Sequence, residues 1–112
     1  MKTLKKESEI VREICEHLEK EKWFFWRQNN IPVFGRNNAG QMTWRALPKF
    51  CIKGVPDIII ISDGIFIGLE VKREGQKQKP EQVLFQKRVE ENGGKYFLVD
   101  SVDNTIKALL SI

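Results

Sequence analysis

Apolar residues near the start of the chain recur at helical spacing. Leu4, Val11, Ile14 and Leu18 fall at successive steps of seven, three and four, which predicts a helix with one buried stripe. Glu7 occupies the gap in that stripe, so its carboxylate is expected on the core side of the helix. Trp23 to Gln28 follows as an aromatic run and predicts a strand. From Asn29 to Lys53 the periodicity vanishes, and Pro32, Gly35, Gly40 and Pro48 punctuate the chain. That stretch reads as one long loop, of a length that in a compact domain calls for a functional reason.

Regular pattern returns with two predicted strands, Pro56 to Ser62 and Ile65 to Arg73, joined by Asp63-Gly64. Asp-Gly between two apolar runs signals a two-residue hairpin, because a type I′ turn needs positive φ at both central residues. Ile58 to Ile61 is apolar on both faces, which predicts a central strand covered by helices on each side. Pro80 then opens a helix and Asn92-Gly93-Gly94 closes it. Lys95 to Asp100 predicts a further strand, and a last helix sets Val102, Ile106, Leu109 and Leu110 on one face. The predicted order is αβββαβα, an α/β fold with a central mixed sheet flanked by helices. With 112 residues and no repeat or linker, a single domain over 1–112 is expected.

The predicted turn sets the pairing of the hairpin. If Asp63 and Gly64 are its two central residues, Ser62 faces Ile65 and every pair of partner numbers sums to 127, which brings Asp57 opposite Glu70. Opposed residues lie with Cβ atoms roughly 5 Å apart, where like charges are destabilising and need compensation. Side chains alternate along a strand, so Ile65, Ile67, Leu69 and Val71 share one face while Phe66, Gly68, Glu70 and Lys72 share the other. Two carboxylates and one ammonium thus converge at the end of an apolar hairpin. Such an oxygen pair suits Mg²⁺, which keeps open positions for water and phosphate oxygens. Gly68, on the same face, is expected to leave room for a ligand or a backbone. A lone Glu-x-Lys or Pro-Asp would carry no weight; the combination in register does.

Composition changes the picture in two ways. The net charge of +4 is unevenly spread: Lys22 to Pro56 contains no Asp or Glu, yet holds Lys22, Arg27, Arg36, Arg45, Lys49 and Lys53. Asn29 and five other side-chain amides lie in the same stretch, with Trp44 in its middle. Basic groups neutralise phosphates and amides reach sugars or base edges, so this reads as a nucleic-acid surface. Arg27, Asn29, Arg36, Arg45, Lys49 and Lys53 are its candidate contacts, and Trp44 could stack on an exposed base. Second, Met1 to Glu9 lacks the apolar core of a secretion signal and no run is long enough to span a bilayer, so a cytosolic protein with no membrane partner is expected. Cys15, Cys51 and the single His17 form no zinc or disulfide pattern.

These motifs resemble the PD-(D/E)XK nuclease superfamily and, within it, the VRR-NUC family, especially its small stand-alone phage-type members. The likeness runs from Glu7-Ser8-Glu9-Ile10 through Trp26-Arg27-Gln28-Asn29 to three more specific motifs: Gly54-Val55-Pro56-Asp57, Gly68-Leu69-Glu70-Val71-Lys72, and Pro80-Glu81-Gln82 with Gly93-Gly94. It implies a Mg²⁺-dependent endodeoxyribonuclease, with Mn²⁺ expected to substitute, working in a bacterial or phage-infected host cytoplasm. By the same resemblance Asp57 and Glu70 are metal ligands, with the Val71 carbonyl a further one. Lys72 orients the attacking water, and Glu7 closes the metal site from the first helix. Glu9 competes for that last role but falls off the apolar stripe. Gln82 matches a family position near the catalytic lysine, and it shares a helix face with Phe85, Gln86 and Val89, so its amide is expected inward. Where the family often places Ser or Thr before Pro-Glu-Gln, Lys79 stands, which predicts a weaker helix start. The resemblance also implies branched, four-way-junction-like DNA as substrate, a homodimer, and products with 5′-phosphate and 3′-hydroxyl ends. The alternative from another class is a non-catalytic basic module that binds nucleic acid.

Overall fold

The protein is described by a computed structural model that covers residues 4–28, 34–36, 38–44 and 49–112. Its elements in chain order are α1 (Glu7–Lys20), β1 (Phe25–Arg27), β2 (Phe34–Arg36), β3 (Met42–Trp44), β4 (Ile58–Ser62), β5 (Ile65–Val71), α2 (Pro80–Glu91), β6 (Lys95–Val99) and α3 (Val102–Leu110). Four strands form one mixed sheet in the order β1-β4-β5-β6, with only the β5–β6 pair parallel. Without β2 and β3 the order is αβββαβα, as the pattern predicted.

The hairpin forms in the predicted register. Asp63 and Gly64 both take positive φ, 51° and 77°. Ser62 pairs with Ile65, Ile60 with Ile67 and Ile58 with Leu69. One face of the sheet carries Ile58, Ile60, Ile67, Leu69, Val71 and Val99, and they close a core with Ile10, Val11, Ile14 and Leu18 of α1. Helix α3 adds Val102 and Leu109 to that layer. The other face lies toward α2, which packs on β5 and β6 through Phe85 against Phe66 and Tyr96.

Two helix ends share one device. After α1, Lys22 takes a φ of 62° while the N–H of Trp23 reaches the Leu18 carbonyl at 3.0 Å. After α2, Gly93 takes a φ of 85° and the Gly94 N–H reaches the Val89 carbonyl at 2.9 Å. Both are Schellman ends, and only the second was announced by a glycine.

Several expectations need correction. The stretch from Asn29 to Lys53 is not one loop, because β2 and β3 pair antiparallel as a separate ribbon. Its strands are three residues each, too short for any period to register. Leu4 lies before the start of α1 and is exposed, and Leu110, at the last turn of α3, points to solvent. The central strands stop short of Pro56 and Arg73, since Pro56 has no N–H to donate. Gly68 leaves room for the chain itself: a Cβ there would lie 2.7 Å from Pro56 Cγ, so the proline ring occupies that space.

Gly54 holds a similar position against α2. Its φ is +83°, and an added Cβ would stand 2.3 Å from the Glu81 carbonyl oxygen and 3.0 Å from the Gln82 nitrogen. Gly64 also has positive φ but meets nothing within 4 Å. Gly54→Ala is therefore expected to cost about 2–4 kcal/mol, from backbone strain plus displacement of the α2 start. Gly64→Ala should cost only the left-handed penalty of about 1–2 kcal/mol. Urea denaturation of both variants checks this, and equal costs would show that the contact at α2 carries nothing.

Candidate active site

At the open end of the β4–β5 hairpin the ladder is completed by side chains. The Asp57 carbonyl accepts the Gln28 N–H at 2.8 Å, extending the β1–β4 pairing by one residue. Asp57 Oδ2 accepts the Val71 N–H at 2.8 Å, while the Lys72 N–H is held by the Val99 carbonyl at 3.0 Å. Asp57 is thus fixed through both its backbone and its carboxylate, in a half-buried position.

Glu70 stands opposite, 3% exposed. Gln82, in the first turn of α2, donates its amide Nε2 to Glu70 Oε1. The same amide accepts the Lys79 N–H through Oε1 at 2.8 Å. Lys79 gives the helix no side-chain cap, as its chemistry requires, and Gln82 covers that backbone donor from within the helix. Lys72 Nζ lies 3.8 Å from Glu70 Oε1, with its side chain only 14% exposed. Among the described residues, Glu70 Oε2 is buried without a hydrogen-bond partner.

These neighbours set the charge of Glu70. Its carboxyl is pushed up from the ordinary 4.5 to about 8, first by burial and then by Asp57, with Lys72 pulling the other way. A proton or a divalent cation relieves the same problem. The donor set fits a hard cation: two carboxylates converge, and one buried oxygen already lacks a partner. Asp57 and Glu70 are the side chains that would hold it.

The structure gathers Asp57, Glu70, Lys72 and Gln82. Val71 enters through its N–H. Glu7 and Glu9 both sit half-buried in the first turn of α1. Among the described residues no group of three His, Cys, Asp or Glu side chains is placed to hold a metal, so neither glutamate is gathered with Asp57 and Glu70.

Of the basic candidates, Lys49 and Lys53 are exposed in the segment leading to Gly54. Arg27 is exposed too, but its register partner Ile58 puts it on the core side of the sheet. There its charge partly offsets the rise that burial imposes on the Cys15 thiol. Arg36 lies on β2, while Asn29 and Arg45 fall outside the described residues.

Two features of this surface escaped the sequence reading, the face taken by Trp26 and Gln28 and the exposure of Phe50. Trp26 and Gln28 alternate onto the carboxylate face, joined by a 3.0 Å bond from Trp26 Nε1 to Gln28 Oε1. Pairing of β1 with β4 was the signal that would have found them. Phe50 is 89% exposed with a φ of 74°, and Lys49 Nζ lies 5.2 Å from its ring centre. An aromatic residue in that conformation is a genuine outlier, with no signal in the sequence.

No protein-family model matches the chain, and no curated protein matches it. Among solved structures, one described as a VRR_NUC domain is similar with a TM-score of 0.61 and 21% sequence identity, over 93% of this chain and 94% of that one. The two share a fold, a mixed α/β sheet with flanking helices.

Because the folded state raises the Glu70 pKa, it binds a proton more readily than the unfolded chain between about 4.5 and 8. The stability this contributes is complete below that window and lost as pH rises through it. Metal-free protein should therefore melt at progressively lower temperature from pH 5 to pH 8.5, and Glu70→Gln should remove most of that fall. An unchanged slope in the variant would mean that another group sets it.

Proposed function

We propose that this chain is a VRR-NUC-type nuclease: a Mg²⁺-dependent DNA endonuclease, with Mn²⁺ an effective substitute, acting on branched, four-way-junction-like DNA. The observation that carries the reading is the Glu70 carboxylate. It is buried, tied at one oxygen by Gln82, without a partner at the other, and opposed by Asp57. A binding module has no use for two carboxylates beside a phosphate surface, where they repel the ligand and cost stability. That weighs against a non-catalytic basic module.

Asp57, Glu70 and the Val71 carbonyl would hold the cation, with Glu7 reaching it through water. Bound there, the ion supplies Lewis-acid polarisation of a phosphoryl oxygen and a lowered pKa for bound water. The chain's own residues do the positioning. Gln82 keeps Glu70 in one rotamer by spanning from the α2 backbone to the carboxylate. Lys72, close to Glu70 and little exposed, orients the water in line with the scissile bond and offsets charge on the phosphate.

DNA would lie along the carboxylate face. Lys49, Lys53, Arg36 and Arg45 would neutralise phosphates, with Asn29 reaching sugars or bases. Phe50 takes over the stacking role first considered for Trp44, since its ring is open to solvent beside Lys49. Arg27 contributes only where DNA passes the β1 edge. Cutting both strands of a junction symmetrically requires two active sites, hence a homodimer. Val83 and Leu84 of α2 and Leu98 of β6 are exposed apolar side chains that a second copy can cover. No helix among the described residues is long and apolar enough to cross a membrane.

A labelled four-way junction and a matched linear duplex, incubated with Mg²⁺, Mn²⁺ or EDTA, test the reading. Metal-dependent cutting that leaves 5′-phosphate ends and prefers the junction is expected. Lys72→Ala should lower cleavage by at least about 10³-fold while junction binding stays within a few-fold. Binding without cutting under every metal would sink the nuclease assignment. Phe50→Ala should weaken junction binding by about 5–50-fold, the range expected for one lost stacking contact, with a smaller effect on linear duplex. Equal losses on both substrates would remove Phe50 from junction recognition.

A further inference from the structure

A second buried oxygen lies on the carboxylate face. The parallel register pairs Gly68 with Tyr96 and Glu70 with Leu98, so Tyr96 and Glu70 are diagonal neighbours across β5 and β6. Tyr96 is 4% exposed, and its ring packs on Phe85 at 6.4 Å. Among the described residues its hydroxyl makes no hydrogen bond. The Gln78 side chain stands beside it, with its Nε2 given to Gln86 at 3.0 Å. Burial first, then Glu70, pushes the phenol above its ordinary range; Gln78 works against the rise and Asp57 adds to it. The group therefore remains a neutral hydroxyl, buried and unpartnered among the described residues.

Such a hydroxyl is costly unless something completes it. Glu70 Oε2 is a second unpartnered atom on the same face, and it can only accept while ionised. A hydrated divalent cation on that oxygen answers both needs, because Mg²⁺ keeps several waters, and their polarised O–H groups donate to neighbouring oxygens. We propose that Tyr96 is a positioning residue of this site, its hydroxyl oxygen accepting from water carried by the cation on Glu70 and so ordering that water. This inference rests on the metal-dependent reading of the Asp57–Glu70 pair.

Tyr96→Phe separates this role from simple packing. If the ring only fills the core, losing an unsatisfied hydroxyl leaves stability the same or better and metal affinity unchanged. If the hydroxyl orders the water shell, Mn²⁺ affinity falls by about 10-fold or more while the metal-free melting temperature holds or rises. Mn²⁺ titration by calorimetry or electron paramagnetic resonance, on wild type, Tyr96→Phe and Glu70→Gln, reads the difference. Wild-type affinity in Tyr96→Phe, with Glu70→Gln unable to bind, overturns the role of Tyr96 and leaves the cation site standing. So does a lowered metal-free melting temperature with undiminished affinity. Failure of the wild type itself to bind Mn²⁺ overturns both.

Discussion

Two carboxylates held side by side in a largely dry place constrain most of this structure. Asp57 and Glu70 face each other because a two-residue turn, six residues away from each, leaves the strands no other pairing. Their repulsion and the desolvation of Glu70 work against folding. The surrounding hydrogen bonds reduce that cost without removing it. The Val71 N–H fixes Asp57, Gln82 donates to Glu70, and Lys72 stands 3.8 Å from Glu70. A cluster that stays partly unsatisfied in an otherwise well-packed sheet is the kind of local inconsistency that marks function.

The two faces of the sheet divide the work. Toward α1 and α3, branched aliphatic side chains interlock into a continuous core. That layer supplies the stability which the other face expends. Toward α2 the cover is partial: no residue of that helix is fully buried, and Leu98 and Trp26 remain open. Rigid support behind a sparsely covered face leaves the carboxylates anchored yet approachable.

Small residues tie the β4–β5 hairpin to α2. Gly68 admits the Pro56 ring, which ends the ladder just before Asp57. Gly54 admits the backbone of Glu81 and Gln82, which sets the depth at which Gln82 meets Glu70. The Gly-Val-Pro-Asp segment thus acts on both carboxylates at once, through Asp57 directly and through the placement of α2.

Local chemistry was enough to determine the hairpin, its register and the opposition of Asp57 and Glu70, because a two-residue turn and strict alternation leave no freedom. It was also enough for the start and end of α2, where Pro80 and Gly93 restrict the backbone within a few residues. Contacts between distant segments decided the rest. Pairing with β4 set which way Trp26 and Arg27 point, and that pairing lies more than thirty residues along the chain. Gln82 looked inward from its helix face, but its meeting with Glu70 depended on how α2 docks. Nothing in the sequence singled out Tyr96; the parallel β5–β6 register set it diagonal to Glu70. Periodicity encodes which side of an element is buried; what it meets there follows only once the elements have packed.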